Sequence, residues 1–258
     1  MGLYLKFLSM HLKSQMQYKA SFFLTALGQF IVSFTSVLGV YFLLSRFQQV
    51  EGFRLHEVLL CYAVVLLAFA LAECFGAGFN AFPRMLGNGE FDRMLVRPRH
   101  EVFQVLAARA DFSCVGRLAQ AVLVFTVALP SSGVRWTADK VLTLALMVVC
   151  GGLLFFGVYL LCAACSFFTT EGLEFMNVLT YGGRDFGRYP FSVYGKGVLR
   201  FLTFVVPLAA FQYYPLLYLL ERERGRLYQF APALGLLFLL PCYAFWRFGL
   251  RRYRSTGS

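Results

Sequence analysis

Charge is what this chain has least of. Across 258 residues only 14% are charged, and 13 acidic residues stand against 24 basic ones, while 59% are hydrophobic and 18% aromatic. With a mean hydropathy of +0.65, that excludes a water-soluble domain, which needs far more polar surface. A phosphate-binding loop is also missing. Gly195-Lys196 is followed by Gly197, and Pro190 stands where the first glycine belongs, so the chain has no ATPase site of that kind. The three histidines, His11, His56 and His100, are far apart and form no His-Glu-x-x-His. The seven cysteines lie mostly in apolar runs, where a thiol behaves as a small hydrophobe, and their odd number gives no disulfide framework. Cys162-Ala-Ala-Cys165 has metal or redox spacing, yet no further ligands surround it, so it reads as packing. Gly76-Ala-Gly78 and Gly151-Gly152 suit close helix packing. The first 19 residues lack the basic start, short apolar core and small-residue cleavage site of a signal peptide and read as retained.

What is present is a series of apolar stretches of about 20 residues, the length a helix needs to cross a bilayer. They predict an all-α integral membrane protein with six spans, near 21–44, 58–79, 112–129, 141–168, 201–220 and 230–248. No internal repeat interrupts them, and residues 1–258 read as one membrane domain. Leu5, Leu8, Leu12 and Met16 fall on one line of a helix that precedes the first span, with Lys6, Lys13 and Gln17 beside it. That pattern suits an amphipathic arm along the inner membrane surface, or a plain extension of the first span. The fifth span carries Pro207 and Pro215, which predict a kink or a break with a re-entrant or surface helix near Tyr213-Tyr-Pro215.

The net charge of +11 would point to nucleic acid in a soluble protein. Here the basic residues lie in the breaks between apolar runs, as membrane topology requires, and nucleic acid is excluded as a partner. Assigning the N-terminal arm, the second and fourth loops and the C-terminal end to one side gives that side 15 Lys and Arg, against seven on the other. The positive-inside rule then places both termini in the cytoplasm, with the second loop and the fourth loop, which contains Arg184, Asp185, Arg188, Tyr189 and Pro190. Charges well inside a span are expensive and usually face a partner or a pathway. Glu73 and Arg117 lie at comparable depth in antiparallel helices, where they can pair structurally or serve a substrate or gate.

Phe82 to His100 is a turn-rich, charged insertion between two apolar runs. Gly87-Asn88-Gly89 can adopt positive φ, Glu90 and Asp92 suit a helix start, and Pro98 closes the short element that follows. Its wording, Gly-Glu-Phe-Asp-Arg-Met-Leu-Val-Arg-Pro, resembles the cytoplasmic loop of type-two ATP-binding-cassette (ABC) permeases. The small six-span family meant is the one ending in a Tyr-x-Ser-(small)-Gly-Ser tail, and this chain ends Tyr253-Arg-Ser-Thr-Gly-Ser258. A Gly-Arg-Tyr-Pro loop before the fifth span and a Tyr-Tyr-Pro near its outer end extend the likeness.

The resemblance implies an exporter permease of the bacterial cytoplasmic membrane that pairs with an identical or paralogous second permease subunit. It also implies docking to a cytoplasmic ABC ATPase, which binds the ATP, so that no cofactor belongs to this chain; membrane lipid is the remaining partner. By resemblance Glu90, Phe91, Asp92, Arg93, Leu95, Arg97 and Pro98 form or flank the element that couples to the ATPase. Phe91 and Leu95 are its expected apolar anchor. A self-contained secondary transporter or channel would be expected to show repeat halves or several polar groups at mid-membrane depth, and a membrane enzyme or scaffold a cluster of catalytic residues.

Overall fold

The computed structural model describes residues 2–47, 49–169 and 174–254. Of the tail motif, residues 255–258 lie outside the described residues. The chain is a helical membrane protein. Five helical stretches are long and apolar enough to cross a bilayer, and a sixth span is obtained if one sharply bent pair of helices counts as one.

Helix α1 (Gly2–Gln15) runs through a single 3-10 turn, Met16–Tyr18, into α2 (Lys19–Phe47). The two form a 44-residue stretch from Tyr4. At 1.5 Å per residue that is about 66 Å, twice a hydrocarbon core of about 30 Å, so a large part must lie beyond the core. The arm is therefore helical and continuous with the first span. A tight strand pair, β1 (Gln49–Val50) and β2 (Phe53–Arg54), follows, with Gln49 opposite Arg54. Glu51 and Gly52 both take positive φ in its two-residue turn, the backbone that matches strand twist.

Helix α3 (Leu55–Gly87) is the axis of the molecule, with a nearly continuous set of buried residues from Val58 to Ala72. It packs most extensively on α6 (Val115–Ser131) and α7 (Ala138–Cys165). Glycine permits the closest crossings. A Cβ at Gly116 would collide with the Ala26 carbonyl of α2, and one at Gly151 would lie 2.6 Å from the Phe211 ring. Between α3 and α6 lie the short helices α4 (Glu90–Leu95) and α5 (Glu101–Ala108). Cys74 of α3 is disulfide-bonded to Cys114, at the start of the third span. The odd cysteine count concealed this pairing, which corrects the expectation of none; the two residues meet only because α3 and α6 run side by side.

After α7 the chain forms α8 (Glu174–Phe186), a 3-10 turn (Phe191–Tyr194), α9 (Gly195–Phe204) and α10 (Leu208–Leu219). The bend of 114° between the Phe191–Phe204 stretch and α10 is the break foreseen in the fifth span. It falls at Val205-Val206-Pro207 and not at Tyr213-Tyr-Pro215. Pro207 immediately precedes the first helical residue, where a missing N–H costs nothing. Pro215 is buried within α10, which continues through it. Helices α11 (Arg226–Gly235) and α12 (Leu239–Arg252) make the last span.

Candidate functional site

The Phe82–His100 insertion forms one end of the bundle. Gly89 takes φ +67°, a conformation strained for any residue with a Cβ, and reverses the chain after α3. Glu90 and Asp92 then occupy the first turn of α4, where carboxylates face unpaired backbone N–H groups. Phe91 is fully buried. Its ring lies 5.0 Å from Phe82, 5.7 Å from Phe167, 5.6 Å from Tyr253 and 6.3 Å from Trp246. Such edge-to-face clusters add to simple area burial.

Phe91 thus anchors α4 to its own chain. The expectation that it serves as an anchor for another protein is corrected: Phe82 of the preceding helix and three rings from distant segments already cover it. The apolar tip offered outward is Leu95, 44% exposed, and Val96, 84% exposed. Arg93, Arg97 and Pro98 are exposed beside it. Polar bonds hold this ledge in place. The Tyr253 hydroxyl donates to Asp92 Oδ1 at 3.0 Å, and Gln104 Nε2 donates to the Met94 and Arg99 carbonyls, both at 2.9 Å.

Helix α5 ties the ledge to both chain ends. Arg247 donates to Glu101 at 3.0 Å. Burial works to raise the Glu101 carboxyl, but its own backbone N–H and Arg247 outweigh it and hold it below the usual range. From α1, His11 Nε2 bonds the Ala107 carbonyl at 2.9 Å, and Gln15 spans the Ala110 carbonyl and the Phe112 N–H. The N-terminal arm, the coupling candidates and the end of α12 therefore share one end. Opposite them, Arg222 bonds Glu57 at 2.8 Å and stacks 4.0 Å over Phe53, while Lys140 pairs with Glu221 at 2.7 Å.

Glu73 and Arg117 meet. Their side chains are about nine-tenths buried and 2.7 Å apart, joining α3 to α6. Arg117 Nε finds no partner. The Tyr181 hydroxyl reaches the second Glu73 oxygen at 3.5 Å and is itself met by Asn80.

The group Arg184, Asp185, Arg188, Tyr189 and Pro190 is placed differently from the expected cytoplasmic loop. Arg184 lies 5.2 Å over the Phe69 ring, and Gly187 is pressed against Val65, both interior residues of α3. At 1.5 Å per residue, those positions are about 27 and 33 Å from Gly87, where α3 ends just before α4. Asp185 accepts from Arg184 and Arg188, each at 2.9 Å. Gln212 of α10 locks the segment by donating to the Tyr189 carbonyl at 2.8 Å and accepting from the Phe191 N–H. The charge and glycine that read as an aqueous loop are instead wedged halfway along the bundle. Glycine is required there because a Cβ at Gly187 would fall 2.6 Å from Val65.

A family model described as ABC-2 family transporter protein matches residues 30–257, nearly the whole chain. The chain belongs to the ABC-2 transporter family. No curated protein and no solved structure matches it. The match leaves α1 and the start of α2 outside, but spans every element from the strand pair to α12.

Within this ABC-2 protein the residues that sequence reasoning missed are Phe167, Trp246 and Gln104, which seat α4, and Val96, which projects from it. Tyr253 belonged to the tail motif without a role; its bond to Asp92 joins the tail to the Gly-Glu-Phe-Asp loop in space. That co-occurrence was the only signal for it.

Proposed function

We propose that this chain is the membrane-spanning permease subunit of an ABC exporter and that the α4 ledge is where it couples to a separate cytoplasmic ATPase. The observation that carries this is a short helix fixed rigidly at its root by Phe91 and Tyr253 while Leu95 and Val96 project outward. Exposed apolar side chains amid arginines make a small anchor with a charged rim, the usual anatomy of a protein contact. Because α4 is held by α3, the turn after α7, and α12, a push on it moves spans directly instead of flexing a loop. ATP binding and hydrolysis belong to the partner.

Two copies of the permease, or this chain with a paralogue, enclose the path in the bacterial cytoplasmic membrane, with surrounding lipid and both termini in the cytoplasm. The charge distribution supports that orientation. Removing the four basic residues of the Arg184–Arg200 stretch from the fifteen assigned to the cytoplasmic side leaves eleven, still more than seven. Co-purification from bacterial membranes tests the coupling. Wild-type chain should carry an ATPase that has a phosphate-binding loop, Val96→Asp should lose it while remaining folded, and Arg99→Ala should retain most of it. Equal recovery with Val96→Asp would refute the assignment.

A further inference from the structure

Halfway along the bundle, a cleft of about 580 Å³ opens between α2 and the corner that joins α8 to the following 3-10 turn. Its α2 wall is Val32, Thr35, Ser36 and Gly39, and its other wall is Arg188 and Tyr189. A Cβ at Gly39 would meet nothing within 4 Å, and the α2 wall, which also includes Val40, mixes two hydroxyl residues with valine and glycine. Opposite it, Arg184 and Arg188 share the one carboxylate of Asp185, and Arg188 Nε is left without a partner. Another buried carboxylate, Glu73, pairs with Arg117.

The excess of positive charge continues along the chain. Lys196 and Arg200 are exposed on α9, and among the described residues neither makes an ion pair. The residues that flank α9 on either side pack on neighbouring helices. Phe191 is bonded to Gln212, and Leu208, which begins α10, packs on Gly183. A bend of 114° separates the stretch that contains α9 from α10. Residues 184–200 thus carry four cations and one carboxylate, with Arg184 and the adjoining Gly187 packed on the middle of α3. Charges at such depth persist only where they face water, a partner or a pathway, and a net positive wall concentrates anions.

We propose that this cleft is an anion-accepting segment of the transport path, taking a carboxylate or phosphate group of the cargo. The inference rests on the permease reading and adds the chemical class of what is carried. Arg188 lines the cleft and offers its guanidinium charge; Thr35, whose hydroxyl donates to the Ile31 carbonyl, stands on the opposite wall; Asp185 is shared by Arg184 and Arg188 and limits how firmly an anion is held.

The test places a thiol in the cleft with Thr35→Cys and compares its reaction with anionic and cationic methanethiosulfonates of similar size, over the background of the native cysteines. The permease is reconstituted in vesicles with its ATPase. The anionic reagent should be favoured by about tenfold relative to a small free thiol, within the range expected of a focused field. Arg188→Gln should remove most of that preference, Arg188→Lys should keep it, and Asp185→Asn should raise it, so the proposal stays testable if one variant fails to fold. Comparing the protein with and without Arg188→Gln, separately in phosphatidylcholine and phosphatidylglycerol vesicles, cancels surface potential. A preference that shrinks only with phosphatidylglycerol assigns the bound anion to a lipid headgroup, and an unchanged one to a soluble group. An unreactive thiol at position 35, or equal rates for the two reagents, overturns the proposal. ATPase bound to the same preparation is measured alongside: its loss indicts the coupling reading, whereas loss of preference with ATPase bound indicts only this inference.

Discussion

Phe91 and Val96 are five residues apart and do opposite work. Phe91 is fully buried among Phe82, Phe167, Trp246 and Tyr253, whereas Val96 is 84% exposed. Phe91→Ala should therefore cost about 3–5 kcal/mol of stability, the usual penalty for emptying a buried aromatic site, seen as a lower thermal midpoint in detergent. Val96→Asp should leave that midpoint unchanged. A stable Phe91→Ala protein would contradict the aromatic anchoring of α4. The Glu73–Arg117 pair makes a second prediction at this scale. Either Glu73→Gln or Arg117→Gln alone strands a buried charge at about 3–5 kcal/mol, and the double substitution should recover much of the loss. Strict additivity in unfolding measurements would show that the 2.7 Å contact carries no coupling.

Among elements, the long spans were legible because apolar run length is a one-dimensional property of the sequence, and α3, α6 and α7 follow it. The stretch from α8 to α10 was not. Tyr181-Gly-Gly-Arg-Asp-Phe-Gly-Arg-Tyr-Pro190 has the composition of an aqueous loop, and only contacts such as Gly187 with Val65 and Arg184 with Phe69 reveal its depth. Likewise the burial of Phe91 depends on rings more than 70 residues away, and the Cys74–Cys114 bond on the pairing of two helices. At the α5 end, the Glu101 carboxyl is held below its ordinary value of 4.5. Its contribution is complete above that value and is lost as pH falls through the lowered one. Protection factors of the α5 amides, corrected for the pH dependence of intrinsic exchange, should fall as pH drops below 4.5, and Glu101→Gln should abolish that acid step; an identical step in the variant would exclude Glu101 as its source. At the opposite end, Arg222 joins the strand pair to the link before α11. Arg222→Ala should cost about 1–2 kcal/mol through the lost charged bonds and ring contact, with increased proteolysis near Glu51-Gly52 as the readout.

For the whole molecule, two ends and a charged middle divide the labour. One end gathers α1, α4, α5 and the end of α12; the other gathers the strand pair and the Glu221–Arg226 link; Arg184 of α8 and Arg188 just beyond it lie between. Coupling through α4 requires the first end to be cytoplasmic and to touch an ATPase. A photo-crosslinking residue placed at Val96, and separately at Arg224, in cells that make the complete transporter measures both at once. An ATPase adduct is expected at position 96, changing in yield when ATP is trapped, and none at position 224. No adduct at 96, or an adduct at 224, would contradict this arrangement.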